Sequence, residues 1–319
     1  MTDPPIDLAE GLETANRLVG AALTQVSGGL GLVTAYLAQS AGKGFRAKVL
    51  LSAALDAEGR VPADAARAAA AVELLHMATL AHDDVLDDAP TRRGIPAVHL
   101  QFDVKSAVLC GDYLLCASLS MLTGIETAGR ESAAVHTARF SRALAGVCKG
   151  EYNQHLNSGN LDLDVPAYLK IIHGKTAALF YAAASTGGLL GGGDENAVRA
   201  LGRYGRCLGM VFQVADDCKD YEMSEAEAKK PVGNDIRSKV VTLPLILAMR
   251  KEPPLRALAR RVMDTGQDIP LFLEKVRRAG GPDQARQAAR RYAQWAARAL
   301  EALPGVKKKN LMEILHKVI

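Results

Sequence analysis

The sequence predicts an all-α fold, and three observations carry that prediction. The chain is 49% hydrophobic with aromatics at only 5%, and its abundant Ala and Leu lose little side-chain entropy in helices. Apolar residues recur at helical spacing almost throughout, and no strand-like alternation of useful length appears. Turn signals are sparse and leave segments of mostly 15 to 30 residues, as a bundle of long helices requires.

Taken in order, the breaks fall at Glu58-Gly59 before Pro62, at Pro90, at Gly159 before Pro166, from Gly187 to Asp194, at Pro253-Pro254 and at Gly280-Gly281-Pro282. Between Glu222 and Ser238 the residues Glu, Lys, Pro and Gly crowd between apolar segments, which reads as an exposed, mobile loop. There is no internal repeat and no low-complexity linker. Residues 1–319 are therefore expected to form a single domain.

Several function classes are excluded at this level. The formal net charge of +4 is small, and the one compact basic run, Lys307 to Lys309, is short. Nucleic acid is not an expected partner. Cys110, Cys116, Cys148, Cys207 and Cys218 form neither a CxxC pair nor an even framework, which points to reduced thiols and a cytoplasmic location. The N-terminus lacks the basic-then-apolar order of a secretory signal, and no clearly apolar helix of about 20 residues is read. Thr176 to Gly193 is uncharged, but its Ser, Thr and Gly content makes it a poor span.

Two acidic clusters carry the chemistry. His82-Asp83-Asp84-Val85-Leu86-Asp87 closes a strongly apolar helical segment. On a helix Asp83 and Asp87 are one turn apart and Asp84 faces Asp87, so three carboxylates are expected to converge at the negative end of the helix dipole. Asp216-Asp217-Cys218-Lys219-Asp220 repeats the spacing 133 positions later, after apolar Leu208 to Ala215. Oxygen-only ligands without Cys or His at metal spacing select Mg²⁺ or Mn²⁺ over zinc. Bare carboxylates repel a diphosphate by about 1 kcal/mol per charge pair at 4 Å in water, and about 4 at an effective dielectric of 20. A hard divalent cation bridging the two would turn the site into a trap for a departing diphosphate.

Around these clusters lie Gly42-Lys43-Gly44-Phe45-Arg46, His76 to Asp87, Arg92-Arg93-Gly94, Gly111-Asp112-Tyr113-Leu114-Leu115, Gly174-Lys175-Thr176, Phe212-Gln213 and Lys230-Pro231-Val232-Gly233-Asn234-Asp235. In this order the segments resemble the polyprenyl synthetase family, the trans-isoprenyl diphosphate synthases, over most of the chain. The resemblance implies a helical bundle around a central cavity and a Mg²⁺-dependent condensation of isopentenyl diphosphate with an allylic diphosphate. It implies that Asp83, Asp84, Asp87, Asp216, Asp217 and Asp220 hold the metal, and that Arg92, Lys175 and Lys230 grip the allylic diphosphate. Lys43, Arg46, His76 and Arg93 match the isopentenyl diphosphate site, with Phe212 near the isopentenyl group. Thr176 and Gln213 match positions whose oxygens face the developing carbocation, and the resemblance places Lys175 with them among the catalytic residues. A homodimer is implied as well, with membrane contact no more than transient, at product release.

The chain departs from the family pattern at three places. Gly44 and Ala47 replace the usual Arg and Pro, Cys218-Lys219 replaces apolar residues and leaves Lys219 to contact Asp220 or a neighbouring chain, and Val240 stands where many relatives carry Lys, with Lys239 beside it. Gly174-Lys175 is no P-loop, because Leu169 occupies the position of the required Gly. Pro90 ends the acidic helix and is expected to fold Arg92-Arg93 back toward it. The loop bearing Lys230 is expected to close over the site and exclude water.

Thr79 lies one turn below Asp83, and Ala78 occupies the position where short-chain relatives tend to carry a bulky aromatic. Small residues there predict an open floor and a product of about thirty carbons or more, on a tunnel of roughly 30 Å. The alternatives are a shorter product of about fifteen to twenty-five carbons on the same length argument, a class I terpene cyclase, or a non-catalytic subunit of a heteromeric synthase. The second acidic triplet speaks against the cyclase, and retention of both acidic motifs speaks against the non-catalytic subunit.

Overall fold

The computed structural model describes residues 4–40, 42, 44–125, 132–222, 233–303 and 305–319. The helices follow one another as α1 Leu8–Thr24, α2 Gly29–Ala38, α3 Phe45–Ala54, α4 Ala63–Leu86, α5 Val98–Gln101, α6 Val104–Thr123, α7 Ala133–Leu156 and α8 Val165–Ile172. A π-helical turn, His173–Ala177, leads into α9 Ala178–Leu190. Then come α10 Glu195–Glu222, α11 Asn234–Arg237, α12 Leu243–Lys251, α13 Leu255–Thr265, α14 Ile269–Arg278, α15 Gly281–Ala299 and α16 Gly305–His316. The all-α expectation holds. It missed two antiparallel ladders of two-residue strands, β1 Ile6–Asp7 with β2 Arg60–Val61 and β3 Thr91–Arg92 with β4 Ile95–Pro96, which are too short to leave an alternating pattern.

The chain divides into two compact units. The first comprises residues 1–141, 182–202 and 302–311 and is built on α4. Ala65, Ala66, Ala68, Ala69, Ala70 and Ala71 are completely buried. A helix covered on nearly every side belongs inside, with Arg67 its only exposed position between Ala65 and Ala81, and its small side chains let α1, α3 and α6 pack against it. Gly187 sits inside α9, where the sequence reading placed a break. A Cβ there would lie 2.1 Å from the Leu50 carbonyl oxygen, so this glycine serves a close helix approach and interrupts nothing.

Helix α6 corrects the reading that no apolar helix reaches 20 residues. It is 20 residues long, with a mean hydropathy of 1.4 over an 18-residue stretch, a third of it buried. By length and composition it could cross a membrane. Its buried stripe, Ala107, Cys110, Leu114 and Ser118, recurs at helical spacing and packs along α4, where Ser118 Oγ donates to the Ala71 carbonyl at 2.8 Å.

The second unit comprises residues 142–181, 203–301 and 312–319, with Tyr204, Tyr221 and Phe272 among its fully buried side chains. The π-helical turn meets α7 backbone to backbone. A Cβ on Gly150 would lie 2.2 Å from the Lys175 amide nitrogen, and one on Gly174 would lie 2.7 Å from the Gly146 carbonyl oxygen. Only glycine permits this approach, and it fixes the backbone that carries Lys175 and Thr176. π-Helical turns within α-helices occur frequently at functional sites.

Candidate active site

In the first unit, Asp83 and Asp84 lie in the last turn of α4 and Asp87 is its C-cap. Asp84 is 2% exposed, Asp83 is partly buried and Asp87 exposed. As expected, the chain folds back after Pro90. The β3–β4 hairpin returns Arg92, whose Nε donates to Asp84 Oδ1 and Oδ2 at 2.9 and 3.1 Å while Nη2 also contacts Oδ1. The expected convergence of three carboxylates is not seen. No three His, Cys, Asp or Glu side chains come together as a metal-binding group among the described residues. A buried carboxylate takes the nearest cation, and the hairpin supplies Arg92 to Asp84, while the helix ends at Asp87.

Arg46, His76 and Arg93 form a second grouping in this unit. Arg46 is buried, and burial pushes its guanidinium down to about 10, with Glu73 opposing the shift. His76 falls well below its ordinary value through burial and then through Arg46, Arg93 and Arg92. Arg93 has a φ of 52° and donates through Nη1 to the Ser40 carbonyl. A Cβ on Gly42 would lie 2.7 Å from Arg93 Nη2, so a side chain there would displace the guanidinium. Ala78 is completely buried, and Thr79 Oγ1 donates to the His76 carbonyl at 2.8 Å. Lys43 lies outside the described residues, as does Lys230 with most of its loop.

In the second unit, Asp216, Asp217 and Asp220 occupy the C-terminal end of α10. Tyr168 Oη donates to Asp217 Oδ2 at 2.5 Å, Gln213 Nε2 donates to Asp217 Oδ1 at 2.8 Å, and Thr176 Oγ1 donates to Gln213 Oε1 at 2.6 Å. This line joins α8, the π-helical turn and α10. Burial pushes the Asp217 carboxyl up to about 6 against the pull of Tyr168 and Gln213. Asp220 accepts from the Asn234 and Asp235 amides at 3.1 and 2.9 Å. Asp235 is raised well above the carboxylate range by burial and then by Asp217, Asp220 and Asp216. Among the described residues its Oδ2 is buried without a hydrogen-bond partner. These donors are all oxygens, the type a hard divalent cation takes, although here too no three carboxylates come together as a metal-binding group among the described residues.

Lys175 Nζ lies 2.8 Å from Glu151 Oε2 and donates to Oε1 at 3.0 Å. The Phe212 ring is 5.6 Å from that of Phe180. Lys219 pairs with Asp216 at 3.6 Å, both largely exposed, where the sequence reading had set it against Asp220 or a neighbouring chain; the i,i+3 spacing favours this pair. Lys239 is exposed with a φ of 57°, and its carbonyl accepts from Gly159 N at 2.7 Å. Sequence reasoning missed Tyr168, Glu151 and Glu73, and quoted Asp235 without giving it a role. Only for Asp235 was there a signal, its place in a matched segment.

Residues 30–270 match the polyprenyl synthetase family. The chain belongs to that family. As a polyprenyl synthetase it is an all-α trans-prenyltransferase. It is 33% identical to the nonaprenyl diphosphate synthase of Mycobacterium tuberculosis over 287 residues, covering 88% of this chain and 83% of that one. It is equally 33% identical to a short chain isoprenyl diphosphate synthase of Methanothermobacter thermautotrophicus, over 84% of this chain and 82% of that one. Among solved structures, a polyprenyl synthase from Caulobacter crescentus complexed with calcium and isoprenyl diphosphate superposes with a TM-score of 0.87 at 30% identity, covering 97% of this chain and 94% of that one. These polyprenyl synthetases thus include long-chain and short-chain enzymes at the same similarity.

Proposed function

We propose that the chain acts as one isoprenyl diphosphate synthase domain that condenses isopentenyl diphosphate with an allylic diphosphate, making a product of about thirty carbons or more on the length argument above. The observation that carries this reading is the hydrogen-bonded line from Tyr168 through Asp217 and Gln213 to Thr176. Thr176 commits its hydroxyl proton to Gln213, so its oxygen has only lone pairs left to offer. That suits it to face a developing allylic cation.

Asp83, Asp84, Asp87, Asp216, Asp217 and Asp220 are the residues that would hold Mg²⁺, or Mn²⁺. Bound there, the metal supplies Lewis-acid charge on the leaving diphosphate. The Caulobacter relative, complexed with a hard divalent cation and an isoprenyl diphosphate, supports the assignment. Arg92 would exchange Asp84 for the allylic diphosphate, and Lys175, with Glu151 steering its ammonium, would contact the same group together with Lys230. Arg46 and Arg93, with Lys43, supply charge for the diphosphate of isopentenyl diphosphate, beside a neutral His76. Attack by the isopentenyl double bond forms the new carbon–carbon bond, and the proton lost from the adduct passes to the released diphosphate.

Leu100, Phe102, Val104, Val108 and Leu109, large apolar residues gathered within ten positions on and between α5 and α6 and all exposed, support a homodimer, since exposed apolar surface of this kind marks association faces. Sedimentation equilibrium tests it, and a monomer would contradict it. We place the enzyme in the cytoplasm. The function is tested by incubating the purified chain with labelled isopentenyl diphosphate, a panel of allylic diphosphates and Mg²⁺, and resolving products by length. Elongated products bear out the reading, whereas allylic consumption without isopentenyl incorporation favours a cyclase and contradicts it.

A further inference from the structure

Away from the carboxylate clusters, the second unit holds a cavity of about 710 Å³ between α8, α10 and α15. That lies within the range of small-molecule pockets, about 300–1,000 Å³. Leu169, Met210 and Ala299 supply aliphatic lining, and Tyr292 and Trp295 stand edge to face with centroids 5.0 Å apart. Lys170, Arg203, Arg206 and Arg298 also line it and are all exposed.

Arg256, Arg261, Arg278 and Arg286 of the same unit each pair with a carboxylate. Among the described residues none of the four cavity cations does, and Arg206 lies instead over the Tyr181 ring at 5.4 Å. Arg250, Arg290 and Arg291 of this unit also lack an ion pair among the described residues, but at the cavity four such cations border one hollow. Four positive charges border one apolar hollow in a chain whose entire formal charge is +4. On α10, Arg203, Arg206 and Met210 follow i, i+3, i+7 and share a face. Met210 precedes Asp216 by six residues, about 9 Å along the axis, so the cavity begins short of the second acidic cluster.

We propose that this cavity binds an amphiphilic organic phosphate, its anionic head held by Lys170, Arg203, Arg206 and Arg298 and its apolar chain laid over Met210, Tyr292 and Trp295. Guanidinium forks match phosphate oxygens in pairs, and an aromatic pair beside aliphatic side chains suits a hydrocarbon tail. His173, lowered by burial and Arg206, adds a neutral imidazole at pH 7. The ligand is a single soluble molecule, because the apolar surface lines a hollow with a charged border, and a bilayer would call for a flat apolar face. The inference does not depend on the catalytic proposal, since no turnover is involved.

Trp295 is the only tryptophan in the chain, half exposed in the cavity wall, so its fluorescence reports binding directly. The experiment titrates the full-length protein in EDTA with decyl phosphate below its micelle threshold, and in parallel with inorganic phosphate, decanol and phosphatidylglycerol vesicles. The expected result is a saturable change with decyl phosphate, at least tenfold weaker with phosphate or decanol alone. It should weaken at least tenfold again in Arg203→Glu/Arg206→Glu and severalfold in the milder Lys170→Glu, with wild-type circular dichroism required of each. It should be unchanged in Asp84→Ala, which separates this cavity from the acidic clusters. No saturable change, an equal response in the folded charge-reversal variants, or a response to vesicles only would overturn the proposal.

Discussion

Tyr168 donates its phenolic hydrogen to Asp217 at 2.5 Å from a ring that is 2% exposed. The bond joins residues 49 positions apart and steadies a buried carboxylate that burial has already pushed up to about 6. Tyr168→Phe removes a donor to a charged acceptor, worth about 1.5–3 kcal/mol. At pH 7, urea unfolding should show a loss of that order. The Asp217 carboxyl should rise further, so the Mg²⁺ concentration for half-maximal activity should increase severalfold. Unchanged Mg²⁺ dependence would contradict the role given to Tyr168.

Glu151 faces Lys175 at 2.8 Å with both side chains mostly covered, at 16% and 22% exposure. Glu151→Gln keeps the shape and removes the charge that steers the ammonium. The expected result is a fold and melting temperature close to wild type with kcat down about tenfold, equivalent to about 1.4 kcal/mol. Lys175→Ala should cost more. Steady-state kinetics beside thermal melts separate this from a general loss of structure.

The His76 imidazole sits well below its ordinary value of 6.5 because of burial and the arginines around it. Below pH 6.5 the unfolded chain takes up a proton that the folded chain refuses. Stability contributed at neutral pH is therefore lost as pH falls through that value. The wild-type melting temperature should drop between pH 7 and 5 by more than that of His76→Gln. Parallel curves for the two proteins would contradict the assignment.

Gly150 admits no side chain, since its Cβ would meet the Lys175 amide nitrogen at 2.2 Å. Gly150→Ala should destabilise by about 1–3 kcal/mol, as overpacking does, and should lower activity further by moving the π-helical turn. Differential scanning calorimetry with activity on the same samples checks both.

Ala78→Phe places a ring five residues before Asp83, about one and a half turns below the first acidic cluster, in a position that is completely buried. The product distribution, resolved by chromatography, should shift to shorter chains. An unchanged distribution would count against a tunnel running past this residue.

Helical class was legible because composition and periodicity are local properties. The acidic clusters were legible because their chemistry is written in spacings of three and four residues. Arg92 near the first cluster also followed from local reasoning at Pro90, although its bond to Asp84 did not. Tyr168 with Asp217, 49 residues apart, and Lys175 with Glu151, 24 apart, obey no spacing rule and became visible only in the folded chain. The same holds for Gly187, which reads as a breaker and serves a helix contact with Leu50. In α6, Lys105 and Asp112 interrupt the apolar run in the sequence, although its buried stripe is regular.

On the proposed reading the two aspartate clusters, loaded with a divalent cation, drive addition of isopentenyl diphosphate. Its most direct test is incorporation of labelled isopentenyl diphosphate onto an allylic primer by EDTA-treated protein, before and after Mg²⁺ is restored, in wild type, Asp84→Ala and Asp217→Ala. Incorporation is expected only with Mg²⁺, and at least a hundredfold less in each variant. Equal incorporation by wild type and variants, or incorporation without a divalent cation, would contradict it.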